Sequence, residues 1–228
     1  MTIDSLDSLD TPDTPDTHIV KRPLRVAEIF YSIQGEGGRA GIPSLFVRLQ
    51  GCSAQWDCSQ LGVQCDTEFR YGHPLTLPEV HTQALAATGG KFVPIIWTGG
   101  EPLDQLSADY VVGMKSLGWP HHAIETSGKV GMSTHLRVLL DWVCVSPKVS
   151  ESRLRENFLG IMVDELRYVV QEGQALPTPA LKARRYTLSP HFDGADINQR
   201  HVAHAVRLCL DNPTWQLSLQ LHKWIQVP

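Results

Sequence analysis

Val93-Pro94-Ile95-Ile96-Trp97-Thr98-Gly99-Gly100-Glu101-Pro102 is a short apolar run that stops on two glycines, an acid and a proline. The following segment, Leu103–Leu117, has helical character, and Ala123–Thr126 reads as β-rich again. Strand, helix and strand in so short a span predict a parallel βαβ unit. Working outward, further β-rich runs fall at Ser44–Leu49, Trp142–Val145, Leu166–Val170, Arg185–Leu188 and Trp215–Leu221, with a helical segment at Leu77–Ala87. The clearest helix is Ile197–Leu210, where Val202, Ala205, Val206, Cys209 and Leu210 recur at helical spacing as one apolar stripe. Six or seven strands in about 205 residues leave too little chain for a closed eight-fold barrel. The expected fold is therefore α/β, a partial (β/α) barrel of six to seven mostly parallel strands, with its ligand at their carboxyl ends.

The chain has 228 residues, 42% hydrophobic and 19% charged, which suits one catalytic-sized domain. Its net charge of −4 lacks the basic footprint of a nucleic-acid binder. Asp4, Asp7, Asp10, Asp13 and Asp16 give the first twenty residues a charge of −5, so the remainder carries +1. Repeated Thr-Pro and Ser-Leu steps between those acids predict a disordered tail over 1–21 and a folded domain over 22–228. No apolar run approaches the roughly 20 residues of a membrane span, and no basic-then-apolar leader opens the chain. A cytoplasmic protein acting on a small ligand, with no membrane or nucleic-acid partner, is expected.

Five cysteines in a chain without a leader argue for reduced thiols rather than a disulfide framework. Cys209 lies on the helical stripe and Cys144 inside the strand Trp142–Val145, both positions of small buried hydrophobes. Cys52, Cys58 and Cys65 share one polar, non-periodic loop directly after Ser44–Leu49. Structural zinc wants four ligands in closely spaced pairs. A cubane iron–sulfur cluster normally takes four thiolates, so three would leave one iron open to a reacting ligand. Three thiols together by chance are the bland alternative.

The chain resembles the radical S-adenosylmethionine (SAM) enzymes and, within them, the 7-carboxy-7-deazaguanine synthase family. The shared segments are Glu28–Gly37, Pro43–Cys52, Cys65-Asp66-Thr67, Thr98–Pro102, Glu125–Gly128, Ser146-Pro147-Lys148, Asp164–Val170 and Gln220-Leu221-His222-Lys223, in the family's order from about Val26 to the end. One departure stands out: the usual Cys-x3-Cys-x2-Cys spacing is here Cys-x5-Cys-x6-Cys, with Trp56 and Gly62 where an alignment from either end wants cysteine. Loop-closure entropy grows only logarithmically with length, so a longer gap still closes.

The resemblance implies a [4Fe-4S] cluster on Cys52, Cys58 and Cys65, SAM chelated at its open iron, and Mg²⁺ at Thr67. It implies a lyase that abstracts hydrogen from C6 of 6-carboxy-5,6,7,8-tetrahydropterin and, with ring contraction and loss of ammonia, yields 7-carboxy-7-deazaguanine for queuosine and related deazapurines. SAM would be met by Gln64, Asp66, Gly100, Glu101, Ser146, Pro147, Lys148 and Ser189. The pterin would be met by Ile33, Gln34, Gly35, Thr98, His222 and the carboxylate of Pro228. Arg48, in the otherwise apolar Leu45–Leu49, suits a carboxylate fork. An electron donor such as flavodoxin and a homodimer are also implied. Rival readings are another radical SAM enzyme, such as a glycyl-radical activator, and a non-enzymatic metal or redox module.

Two motifs are set aside. Gly35–Ala40 matches a dinucleotide fingerprint, but β-type residues follow where that motif needs a helix, and Glu36 would repel a pyrophosphate. His201 and His204, off the apolar stripe, read as a solvated helix face rather than a metal pair.

Overall fold

Side-chain alternation along each strand decides what faces the helices and what faces the opposite side. In the computed structural model, which describes residues 22–62, 65, 68–192 and 197–228, nine strands form one open sheet. They are β1 (Leu24–Ile33), β2 (Pro43–Leu49), β3 (His73–Leu75), β4 (Ile95–Gly99), β5 (His122–Thr126), β6 (Trp142–Val145), β7 (Val163–Val170), β8 (Ala183–Pro190) and β9 (Trp215–Leu217). Their order is β3-β1-β2-β4-β5-β6-β7-β8-β9. From β2 onward every pairing is parallel, while β1 runs antiparallel to both β2 and β3. The expected mostly parallel, unclosed α/β architecture holds, with nine strands instead of six or seven. The acidic tail lies outside the described residues.

The helices are α1 (Gln55–Gln60), α2 (Leu77–Thr88), α3 (Ala108–Ser116), α4 (Thr134–Leu139), α5 (Glu151–Asn157), α6 (Gln199–Asp211) and α7 (Leu221–Ile225). Leu45, Val47 and Leu49 of β2, Trp97 of β4, Ile124 of β5 and Val143 and Val145 of β6 pack with Leu77, Val80 and Ala84 of α2 and Tyr110, Val111 and Met114 of α3 in one core. Thr76 and Glu79 close a capping box at the start of α2, the Thr76 N–H donating to Glu79 Oε2 at 2.7 Å.

Residues of opposite parity point to the other face, and there the sequence is polar. In register across neighbouring strands lie Arg48 with Thr98, Glu125 with Cys144, Cys144 with Glu165, and Arg167 with Thr187. A sheet face lined with charge must have those charges paired or held for a ligand, because burying them bare is costly.

Several boundaries differ from expectation. The single helix expected over Leu103–Leu117 is a 3₁₀ turn, Pro102–Asp104, followed by α3. Ser107 separates them, because its hydroxyl accepts from the Tyr110 N–H and starts a new helix. The strand expected over Trp215–Leu221 ends at Leu217, and the chain turns into α7. On α6, Ala205 is buried and Leu208 and Cys209 pack on the β8–β9 cluster, but Leu210 is 76% exposed. His201 and His204 are half-buried: Nδ1 of His201 accepts from the Glu172 N–H at 2.9 Å, and Nε2 of His204 lies 2.8 Å from the Gln174 carbonyl. They tie α6 to the turn after β7.

Candidate active site

The carboxyl ends of the strands open into a cavity of about 470 Å³. Every residue expected to meet a pterin lines it: Ile33, Gln34, Gly35, Arg48, Thr98, His222 and Pro228. Phe30 and Phe46, neighbours across β1 and β2, stack with ring centroids 4.9 Å apart and planes 5° from parallel. The Arg48 guanidinium carbon sits 5.2 Å from the centre of the Phe30 ring, and its Nη1 is 3.1 Å from Glu28 Oε2. The Nε of Arg48 is buried without a hydrogen-bond partner, a donor left for a ligand.

The loop after β1 forms a second wall. Gln34 donates to Glu125 Oε1 at 3.0 Å, and the Gly35 carbonyl accepts from the Leu221 N–H at 2.9 Å. A Cβ on Gly35 would stand 2.1 Å from the His222 ring, so any side chain here would displace that ring. Ser32 donates to the Pro228 carbonyl oxygen at 2.7 Å, which seats the C-terminal segment at the same rim.

Sequence reasoning missed Phe30, Phe46, Glu36, Glu125, Arg167, Gln220 and Lys223, which also line this cavity. A signal existed for Arg167. It is a lone cation in the apolar run Leu166–Val170, the same pattern that singled out Arg48. Burial pushes the Glu125 carboxyl up to about 7, against Arg167, which pulls it down.

The cysteine loop borders the cavity through the β4 turn. The Gly100 N–H donates to the Leu49 carbonyl and the Glu101 N–H to the Gly51 carbonyl, both at 3.1 Å. A Cβ on Gly100 would stand 1.8 Å from the Gly51 oxygen and 2.7 Å from Cys52 Cβ, so glycine is required where the two segments meet. The loop is not wholly irregular, because α1 occupies part of the extended spacing and carries Cys58. Asp57 holds α1 to the body through Lys129 at 2.9 Å, and the Ser53 N–H donates to Asp104 Oδ2 at 2.9 Å.

The three thiols lie close enough to influence one another electrostatically. Cys52 is pushed up to about 11 by burial first, with Glu101, Cys58 and Cys65 adding to the rise. Cys58 is raised by burial and by Cys65, and lowered by Lys148. Among the described residues no group of three or more Cys, His, Asp or Glu converges tightly enough for a single metal ion. Three thiols on one loop and its short helix, mutually coupled and with Cys52 set against Gly100, are the soft donors that an iron–sulfur cluster takes. Gln64, Asp66 and Thr67 lie outside the described residues.

The remaining SAM residues fall in different places. Ser146 lines the main cavity, while Pro147 and Lys148 line a second cavity of about 220 Å³ with Leu61, Glu151 and Tyr168. The Lys148 ammonium donates to Ser146 Oγ at 2.8 Å, and burial lowers its pKa. Glu101 is fully buried. Its carboxylate accepts from Thr126 Oγ1 at 2.6 Å, the Ser127 N–H at 2.9 Å, the Leu103 N–H at 3.1 Å and the Ser127 hydroxyl. In this arrangement it braces the β5 turn, and the main chain of Gly99–Glu101 is what faces the cysteines. Ser189 is buried within β8 and lines neither cavity.

Compared with curated proteins, the chain is 33% identical over 218 residues to the 7-carboxy-7-deazaguanine synthase of Caulobacter vibrioides, covering 89% of this chain and 98% of that protein. It is 34% identical over 223 residues to the enzyme of the same name from Nitratidesulfovibrio vulgaris, covering 90% and 99%. The chain belongs to the 7-carboxy-7-deazaguanine synthase family. Bradyrhizobium diazoefficiens contributes another relative of that name, 33% identical over 217 residues, covering 87% of this chain and 96% of that one. Among solved structures, the crystal structure of QueE from Escherichia coli superposes with a TM-score of 0.60 at 19% identity, covering 87% of this chain and 94% of that one, a likeness of fold. A scan against protein-family models finds no match. Membership in the 7-carboxy-7-deazaguanine synthase family makes this a radical SAM lyase of the queuosine pathway, acting on a small pterin. Its cofactors are a [4Fe-4S] cluster, SAM and Mg²⁺.

Proposed function

We propose that the chain converts 6-carboxy-5,6,7,8-tetrahydropterin to 7-carboxy-7-deazaguanine in the 470 Å³ cavity, with the following division of labour. Arg48 takes the substrate carboxylate through its unpartnered Nε. Phe30 and Phe46 offer an apolar border to the heterocycle, and Gln34, Gly35, Thr98, His222 and Pro228 read its edges. Cys52, Cys58 and Cys65 hold the cluster; Gly100, Ser146, Pro147 and Lys148 hold SAM between the two cavities, with Gln64 and Asp66 contributing, whereas the buried Ser189 supports β8 beneath them. Thr67 takes the Mg²⁺, whose hard character suits oxygen ligands. Glu101 keeps the β5 turn rigid beneath SAM.

When bound, cluster and SAM supply reductive cleavage of SAM and a hydrogen-atom abstraction; the protein's part is position and exclusion of water. The observation that carries this reading is the convergence of a guanidinium with a free Nε, a planar aromatic pair and amide groups in one cavity, next to the main-chain junction of Gly100 with Gly51 and Cys52. A low-potential carrier such as flavodoxin donates the electron, the protein works as a homodimer, and it resides in the cytoplasm. Among the described residues no helix is long and apolar enough to cross a membrane.

The test is anaerobic reconstitution with iron, sulfide, SAM and reductant, with and without the pterin. Pterin-dependent formation of 7-carboxy-7-deazaguanine supports the reading. Cleavage of SAM with the pterin left unchanged contradicts it and favours another radical SAM activity.

A further inference from the structure

Arg167 stands on β7 with 4% of its surface exposed, beneath the cavity that it helps to line. Its Nη1 donates to Glu36 Oε2 at 2.7 Å. Its Nη2 donates to Glu125 and lies 2.7 Å from Cys144 Sγ, while Nε is 3.7 Å from Glu165 Oε1. Three carboxylates from three different segments thus meet one guanidinium. Each also grips something that shapes the cavity. Glu36 accepts from Gln220 Nε2 at 2.7 Å, Glu125 from Gln34 Nε2 at 3.0 Å, and Glu165 from the Gly38 N–H at 2.9 Å and Thr187 at 2.8 Å.

We infer that Arg167 is a positioning residue for the pterin reaction: its fork fixes Glu36 and Glu125 as a pair of acceptors in the cavity wall and, through Gln220 and Gln34, sets the two segments that border the ring. The inference rests on the reading of this cavity as the pterin site. The surplus of acid gives Arg167 an electrostatic role as well as a geometric one. Glu125 faces Arg167 and Glu165 from β7, Cys144 from β6, and Glu36, Gln34 and Arg39 from the loop after β1. Lys148, after β6, adds a cation near Glu36, and Gln220 and His222 close the side of the C-terminal segment. Of these, Arg167 is the cation in direct contact with Glu125. Its removal leaves mutually repelling carboxylates, and Glu125 then holds its proton to higher pH, which weakens the charged acceptor that Gln34 binds.

The test uses anaerobically reconstituted enzyme: wild type, Arg167→Met and Arg167→Lys. Calorimetry measures binding of 6-carboxy-5,6,7,8-tetrahydropterin, and kcat is followed across the neutral pH range. Wild type binds the pterin. In Arg167→Met, kcat at neutral pH falls about tenfold and the acid limb of the profile moves alkaline by about one pH unit. Arg167→Lys restores the limb but, lacking the fork, keeps a reduced kcat. Two results overturn the inference: a folded Arg167→Met with the wild-type limb and kcat or, where that variant does not fold, an Arg167→Lys equal to wild type in kcat, KM and limb. Failure of the wild type itself to bind the pterin overturns the functional reading, and the inference with it.

Discussion

Arg48 offers the sharpest quantitative handle on substrate recognition. Its side chain is held between the Phe30 ring and Glu28, and its buried Nε has no partner until a ligand arrives. A hydrogen bond between charged groups contributes about 1.5–3 kcal/mol net. The competing ion pair to Glu28, whose side chain is 51% exposed, is worth no more than about 1 kcal/mol. Arg48→Met should therefore weaken pterin binding by about 2 kcal/mol, roughly thirtyfold in Kd. Arg48→Lys keeps the charge, loses the fork and should fall between. Glu28→Gln removes the competitor and should leave Kd unchanged or tighter. The assay is anaerobic titration calorimetry with 6-carboxy-5,6,7,8-tetrahydropterin and SAM-loaded enzyme. A folded Arg48→Met with Kd within about threefold of wild type would refute the assignment.

Other outcomes follow from the same geometry. Cys58→Ala should leave little or no cluster, measured as iron per chain; full iron content would move the third ligand to another cysteine. One residue appended after Pro228, which lines the cavity, should raise the KM for the pterin, and an unchanged KM and kcat would remove Pro228 from the site. His122 is buried, accepting from Trp97 at 3.0 Å on Nδ1 while Nε2 faces the Trp119 carbonyl at 2.9 Å, and burial lowers its pKa to about 4. The unfolded chain takes up this proton near pH 6.5, the native one only near 4, so the stability is complete above about 6.5 and is lost as the pH falls toward 4. That gap, at about 1.4 kcal/mol per pH unit, amounts to about 3 kcal/mol. Urea titrations between neutral pH and pH 4 should show it in wild type and a smaller loss in a folded His122→Asn.

The parallel part of the fold was legible because buried strands and helices carry different periods, and runs such as Trp142–Val145 match the observed strand to the residue. The strand β1 was overlooked because Leu24–Ile33 mixes polar and apolar residues on an antiparallel strand whose second neighbour is the three-residue β3. The end of β9 was misread for a tertiary reason. Trp215–Leu221 alternates as a strand should, but the Ser218 hydroxyl accepts from the Gly37 N–H at 2.8 Å and the chain departs from the sheet.

At the site, the additional cavity residues lie within segments quoted for the resemblance, but their roles depend on strand register, which the sequence does not display. Glu125 on β5 and Arg167 on β7 meet across the intervening β6, and Phe30 meets Phe46 through the β1–β2 register. Glu101 shows the opposite limit. Its type and place suggested a ligand contact, while the fold turns its carboxylate inward to Thr126 and Ser127.

Electron paramagnetic resonance of the reduced, anaerobically reconstituted protein, recorded before and after SAM is added, interrogates the core of the account most directly. A spectrum from about four irons per chain that changes on SAM addition is the predicted result. A spectrum indifferent to SAM, or one that survives replacement of Cys52, Cys58 and Cys65 together, would contradict it.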